Sequence, residues 1–145
     1  MAKLFLIWAG LVFGVSFLAT PAKFLAPDLD LSTALQVGRV TFRVFSYVEA
    51  FLIVLTVGLA WKQFGSTLRH YLWPFVLTIL LLVQYFVVLP IVAQHTDAVT
   101  AGDAVSSSSA MHQVYVVFEV IKAGLLLWLG IQNPFAAYNV KPNRA

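Results

Sequence analysis

Apolar residues fill four stretches of the chain, about 4–20, 44–61, 71–94 and 114–131, with polar residues gathered mainly in the breaks between them. A helix rising about 1.5 Å per residue needs about 20 residues to cross a hydrocarbon core of about 30 Å, so the pattern predicts four crossings. The first stretch lies between Lys3 and Lys23, and the third has no charge. The second contains Glu49, and the fourth contains Glu119 and Lys122. Small residues near 19–22 give the first stretch the look of a signal peptide, but Pro21 and Lys23 make a poor cleavage site, and a retained helix is expected.

The breaks have their own character. The first outer loop carries Pro21 and Pro27, then Ser32 as the expected N-cap of a short helix over 33–44. Leu31, Leu35 and Val40 would lie among headgroups there, with Arg39 and Arg43 toward water, leading into helix two from the side. The second outer loop, 95–110, is acidic and serine-rich. Pro74 fits a first helical turn, Pro90 is expected to kink the outer end of helix three, and Asn133 and Pro134 stop helix four before a short basic tail with Tyr138, Lys141 and Arg144.

Composition agrees with the pattern. With 61% hydrophobic and 10% charged residues and a mean hydropathy of +0.88, the chain has too little polar surface to cover a soluble globule. The expected fold is an all-α integral membrane bundle of four transmembrane helices, a single domain over 1–145. The chain has no cysteine, which removes disulfides and thiolate chemistry. Its formal charge of +3 is spread over loops and ends, with no basic stripe that would argue for nucleic acid.

Lys3, Lys62, Arg69, Lys141 and Arg144 fall on one side, and Lys23, Arg39 and Arg43 on the other. The positive-inside rule then puts both termini in the cytoplasm of a bacterial-type inner membrane. Trp8, Trp61, Trp73 and Trp128 are all expected at that cytoplasmic interface.

The ionisable residues inside the crossings carry the functional signal, because a charge at the centre of a membrane helix costs roughly 2.5 to 3.5 kcal/mol on insertion scales and needs a partner. On helix four, His112, Tyr115, Glu119 and Lys122 fall within an arc of roughly 80°. On helix two, Arg39, Arg43, Ser46 and Glu49 span roughly 120°. Glu49 and Glu119 lie at a common depth, with Ser16 near them and Gln84 about level with Lys122. The expected ion or ligand cluster is Glu49, Glu119, Lys122, Gln84, Tyr115 and Ser16, with Arg39, Arg43 and His112 at the outer mouth. Two carboxylates beside one ammonium leave a surplus negative charge, which suits a proton or cation site. The bland alternative is that Glu119 and Lys122 pair only to hold the helices in register.

Other chemistry is weaker. His95, Asp97 and His112 offer imidazole and carboxylate ligands for a surface divalent metal, without tight ligand spacing. Gly10 and Gly14 form a Gly-x-x-x-Gly pair that permits close helix approach. Phe13, Phe17, Phe45, Phe51 and Phe86 could line a quinone or lipid pocket, although packing is the usual fate of such residues. Nucleophile motifs, phosphate loops and nucleotide fingerprints are missing, so an enzyme is the minority reading and no cofactor is expected.

The stretch Gly14-Val-Ser-Phe-Leu-Ala-Thr-Pro-Ala-Lys-Phe24, then Gly38-Arg-Val-Thr-Phe-Arg-Val-Phe45, with His112 opening the last helix, resembles a family of small four-helix membrane proteins of unknown function. These are grouped with transmembrane protein 205 and with copper-resistance D-like proteins. The resemblance covers about half the chain and implies a four-helix domain and a link to metal or drug tolerance, with no catalytic residues. Met1 and Met111 are the only methionines, so the soft ligands of a copper site are lacking. The leading expectation is a non-enzymatic accessory or structural subunit, embedded in lipid and packed on a larger complex or its own copies. The alternatives are a proton- or cation-linked transporter component and a quinone- or lipid-binding protein.

Overall fold

A computed structural model describes residues 1–64, 71–100 and 108–132; at 64, 92, 95, 96, 98–100 and 108–112 it describes backbone only. Every regular element in these residues is helical. Helix α1 occupies Ala2–Leu25, α2 Leu31–Phe64, α3 72–100 and α4 Ser108–Gln132. Each contains a segment long and apolar enough to cross a membrane.

Helix α2 is a single element of 34 residues, about 50 Å at 1.5 Å per residue. The expected junction near residue 44, between an interfacial piece and a spanning piece, does not form. Nothing between Gly38 and Gly58 interrupts the α-helical hydrogen-bond ladder, since that stretch lacks both proline and glycine. The N-cap also differs from expectation. Asp30, not Ser32, caps α2: its Oδ2 accepts from the Thr33 amide at 3.1 Å and the Ser32 hydroxyl at 2.5 Å, and its carbonyl accepts from the Ala34 amide at 2.9 Å. A carboxylate two residues earlier reaches the free amides of the first turn and also favours the positive end of the helix dipole.

Those hydrogen bonds hold the Asp30 carboxyl down to about 2 from its usual 3.8. Because the folded value is depressed, the cap's contribution is complete above about pH 4 and is lost as pH falls through about 2. Amide exchange at Thr33 and Ala34 is expected to accelerate on that acid step, and Asp30→Ala should give the same acceleration at neutral pH.

Helices α1 and α3 each contain a widened π-helical segment, Phe13–Ala19 and Gln84–Val88. The Thr20 amide donates back to Val15, and the Leu89 amide to Gln84, each five residues away. Both segments lead up to a proline, Pro21 or Pro90, which lacks a donor and crowds the carbonyl four residues earlier. Widening the turn relieves that crowding. The Thr20 hydroxyl adds a bond to the Val15 carbonyl at 2.8 Å.

Helix α1 packs most extensively on α4. Phe5, Trp8, Ala9 and Val12, spaced i, i+3, i+4, i+7, form its buried stripe against Leu126, Leu129 and Leu77. In lipid such packing rests on van der Waals fit and interhelical hydrogen bonds, since acyl chains are as apolar as leucine. The fit between α1 and α4 is close at Gly130, where a Cβ would lie 2.5 Å from Leu6 Cδ2 and 2.6 Å from Leu6 Cγ. Gly130→Val is therefore expected to cost about 1–3 kcal/mol by overpacking. At Gly10 and Gly14 a Cβ would meet nothing within 4 Å among the described residues, so the glycine pair is not a contact between the described helices. Gly10→Ala should gain up to about 1 kcal/mol from helix propensity. Thermal unfolding of the two variants in one detergent reads these opposite signs.

Trp8 departs from the expected interfacial belt, being fully buried, because it belongs to the stripe that meets α4. Trp61 and Trp128 are exposed, and Trp128 meets Trp73 edge to face with ring centres 4.9 Å apart.

Candidate functional site

All four helices contribute to one buried polar cluster. Lys122, at its centre, is 1% exposed. Its Nζ lies 2.7 Å from Glu49 Oε1 on α2, 2.8 Å from Glu119 Oε1 one turn earlier on α4, and donates to Gln84 Oε1 on α3 at 2.9 Å. Three acceptors match the three protons of an ammonium. The Phe45 ring, on α2, adds an aromatic face 5.7 Å from the same nitrogen.

The two carboxylates are satisfied unequally. Glu119 Oε1 accepts from Lys122 and from Gln84 Nε2, and its Oε2 accepts from the Ser16 hydroxyl at 2.8 Å. Glu49 receives both of its partners, Lys122 Nζ and Trp8 Nε1 at 3.1 Å, on Oε1. Among the described hydrogen bonds none falls on Glu49 Oε2. Tyr115 is buried about one turn before Glu119 on α4, its ring tilted by 51° against that of Phe42 with ring centres 4.5 Å apart, and faces Glu119 and Ser16.

Local structure explains this convergence. Glu119 and Lys122 are three residues apart on one α-helical face. Ser16 lies inside the widened segment of α1 and Gln84 opens that of α3, so both proline-linked distortions occur where a side chain enters the cluster. The structure thus brings together Glu49, Glu119, Lys122, Gln84, Ser16 and Tyr115. Trp8 and Phe45 also belong to the site, and the signal that finds Trp8 is the i, i+3, i+4, i+7 spacing of its stripe.

A cleft of ≈ 380 Å³ between α2 and α3 has Glu49 and Gln84 in its wall. Its other lining is mostly apolar, with Ser46, Tyr47, Thr78 and Tyr85 as further polar groups. The Ser46 and Thr78 hydroxyls are occupied, donating to Phe42 and Pro74 carbonyls of their own helices.

The mouth residues behave differently. Arg39 pairs with Asp97 at 2.5 Å and donates to the Ala93 carbonyl at 2.7 Å, which ties α2 to the end of α3. Asp97 is thereby an ion-pair partner of Arg39. Arg43 is exposed and does not enter the cluster. The side chains of His95 and His112 lie outside the described residues, as do Asp103, Tyr138, Lys141 and Arg144 altogether. Among the described residues no group of three or more His, Cys, Asp or Glu side chains could hold a metal. The Lys23 side chain crosses Gly38, its ammonium 5.0 Å from the Phe24 ring and 5.9 Å from the Phe42 ring, so a side chain at 38 would displace it. Phe13, Phe51 and Phe86 are exposed, Phe45 is in the core, and none of the five phenylalanines considered for a pocket lines the α2–α3 cleft.

No family model, curated protein or solved structure matches the chain.

Proposed function

We propose that the chain is a proton- or cation-linked component of membrane transport, with Glu49 as the exchanging carboxyl. One observation carries this reading: the buried cluster holds two carboxylates and one ammonium, and its surplus negative charge falls beside the oxygen with no described partner. Glu119, bonded on both oxygens, serves as the fixed counter-ion of Lys122. The groups facing Glu49 are Lys122 and Glu119 from α4, Trp8 from α1 and Gln84 from α3, and none of these supplies a second cation. A proton or an entering cation therefore closes the charge balance.

In this reading the protein works in a bacterial-type inner membrane with both termini in the cytoplasm. The charge bias of the loops supports that orientation. Protein in liposomes under an imposed pH gradient should dissipate it, and Glu49→Gln should fall to the rate of protein-free liposomes. Equal rates for the wild type and the variant would remove the proposal.

A second reading is favoured by a different observation, that every helix contributes a cluster side chain. Such a cluster staples four helices together and suits an accessory subunit of a larger complex or homo-oligomer. On that reading Glu49→Gln leaves function intact unless helix packing is lost with it, and the protein leaves its own membrane with a stoichiometric partner.

A further inference from the structure

The α2–α3 cleft sets a mostly apolar wall against one buried carboxylate. We infer that the cleft binds a lipophilic amine, with its ammonium on Glu49 Oε2 and its hydrocarbon body along Ala50, Ile53, Val54, Leu81 and Leu82. The inference rests on the proposed role of Glu49 and names the class of cation that the site exchanges.

Three features select that class. The volume of ≈ 380 Å³ falls within the range of about 300–1,000 Å³ typical of small-molecule pockets. The group presented by Glu49 is an acceptor, because Oε2 takes none of the described hydrogen bonds while Oε1 takes two. Gln84, the other cluster residue in the wall, has its amide nitrogen committed to Glu119 and its oxygen to Lys122. A ligand that only accepts, such as a quinone carbonyl, finds no free donor in the cluster; the Tyr47 and Tyr85 hydroxyls of the wall could donate to it, but it would leave the surplus negative charge unbalanced. A ligand that donates and carries positive charge both fills the acceptor that has no described partner and cancels the surplus charge. Its entry is lateral, between two helices whose outward faces are apolar: Val54 and Leu82 in the lining are 70% and 49% exposed. An apolar body reaches such an opening from the acyl chains, where a hydrated metal ion would have to shed its water first.

The test uses the full chain in lipid nanodiscs and a dodecylamine carrying a photoreactive diazirine in its tail, with the corresponding dodecyl alcohol as neutral control. The amine is expected to label Ile53, Val54, Leu81 or Leu82, and labelling should fall by about tenfold or more with the alcohol and in Glu49→Gln. Ala50→Trp, which fills the cleft while leaving every cluster side chain in place, should block labelling to the same extent, and the thermal unfolding midpoint of each variant establishes that it is folded. Equal labelling by amine and alcohol, or labelling that survives both folded variants, overturns the inference. The proton occupancy of Glu49, read in the wild type by its carboxyl infrared band, separates the two levels. A titrating band without amine preference sinks only the amine assignment, whereas absence of both sinks the proposed function with it.

Discussion

Lys122→Met is expected to cost about 3–5 kcal/mol of stability, the range for removing one partner of a buried ion pair. Methionine approximates the length of the lysine stem, so the loss arises chiefly from charge. Without the ammonium, Glu49 and Glu119 remain in one buried site, and Gln84 Oε1 loses its donor. Gln84 Nε2, Ser16 and Trp8 still donate to the carboxylates, but these neutral groups do not offset two like charges. Thermal unfolding in detergent should show a large fall in midpoint or loss of folded protein. Adding Glu49→Gln to Lys122→Met should recover part of the loss by removing one of the two charges, and the size of that recovery measures the coupling between the residues. If Lys122→Met unfolds at the wild-type midpoint, the ammonium is not the keystone of the cluster.

Glu49→Gln has the opposite character. In most buried ion pairs the neutralised partner leaves an orphan charge, but here the change leaves one carboxylate, Glu119, against one ammonium. The glutamine oxygen can still accept from Trp8 and Lys122 as Oε1 does. Stability is expected to stay within about 1 kcal/mol of the wild type, as for a variant that keeps its neutral hydrogen bonds. Proton or cation exchange, by contrast, should vanish, because an amide does not titrate in this range. A folded but inactive Glu49→Gln beside an unfolded Lys122→Met separates the working carboxyl from the structural ammonium. Strong destabilisation by Glu49→Gln would instead favour the accessory-subunit reading, in which the residue only staples α2 to its neighbours.

The sequence made the four spans and most of the cluster legible because both depend on local periodicity. Apolar runs of sufficient length identify the helices. The spacing of Tyr115, Glu119 and Lys122 puts them on one face, and rise per residue matches their depth to Glu49, Ser16 and Gln84. Three features escaped that reasoning. Residue type and position suggest an interfacial Trp8, but the stripe it forms with Phe5, Ala9 and Val12 places it in the core. Asp30 rather than Ser32 caps α2, a choice between capping residues two positions apart that backbone geometry decides. The unequal satisfaction of the two carboxylates, and the cleft beside Glu49, depend on how helices distant in sequence approach one another, which periodicity within a single helix does not encode. The prolines gave a partial signal: Pro90 marked a distortion of helix three, but the widened turns lie just before Pro21 and Pro90 and carry Ser16 and Gln84 into the site.

The central claim, that a proton exchanges at Glu49 to balance the cluster, is tested most directly by infrared difference spectroscopy of the carboxyl band across a pH titration, in the wild type, Glu49→Gln and Glu119→Gln. A protonated-carboxyl band is expected that titrates in the wild type and is lost in Glu49→Gln. A titrating band that persists unchanged in Glu49→Gln and disappears in Glu119→Gln would contradict it.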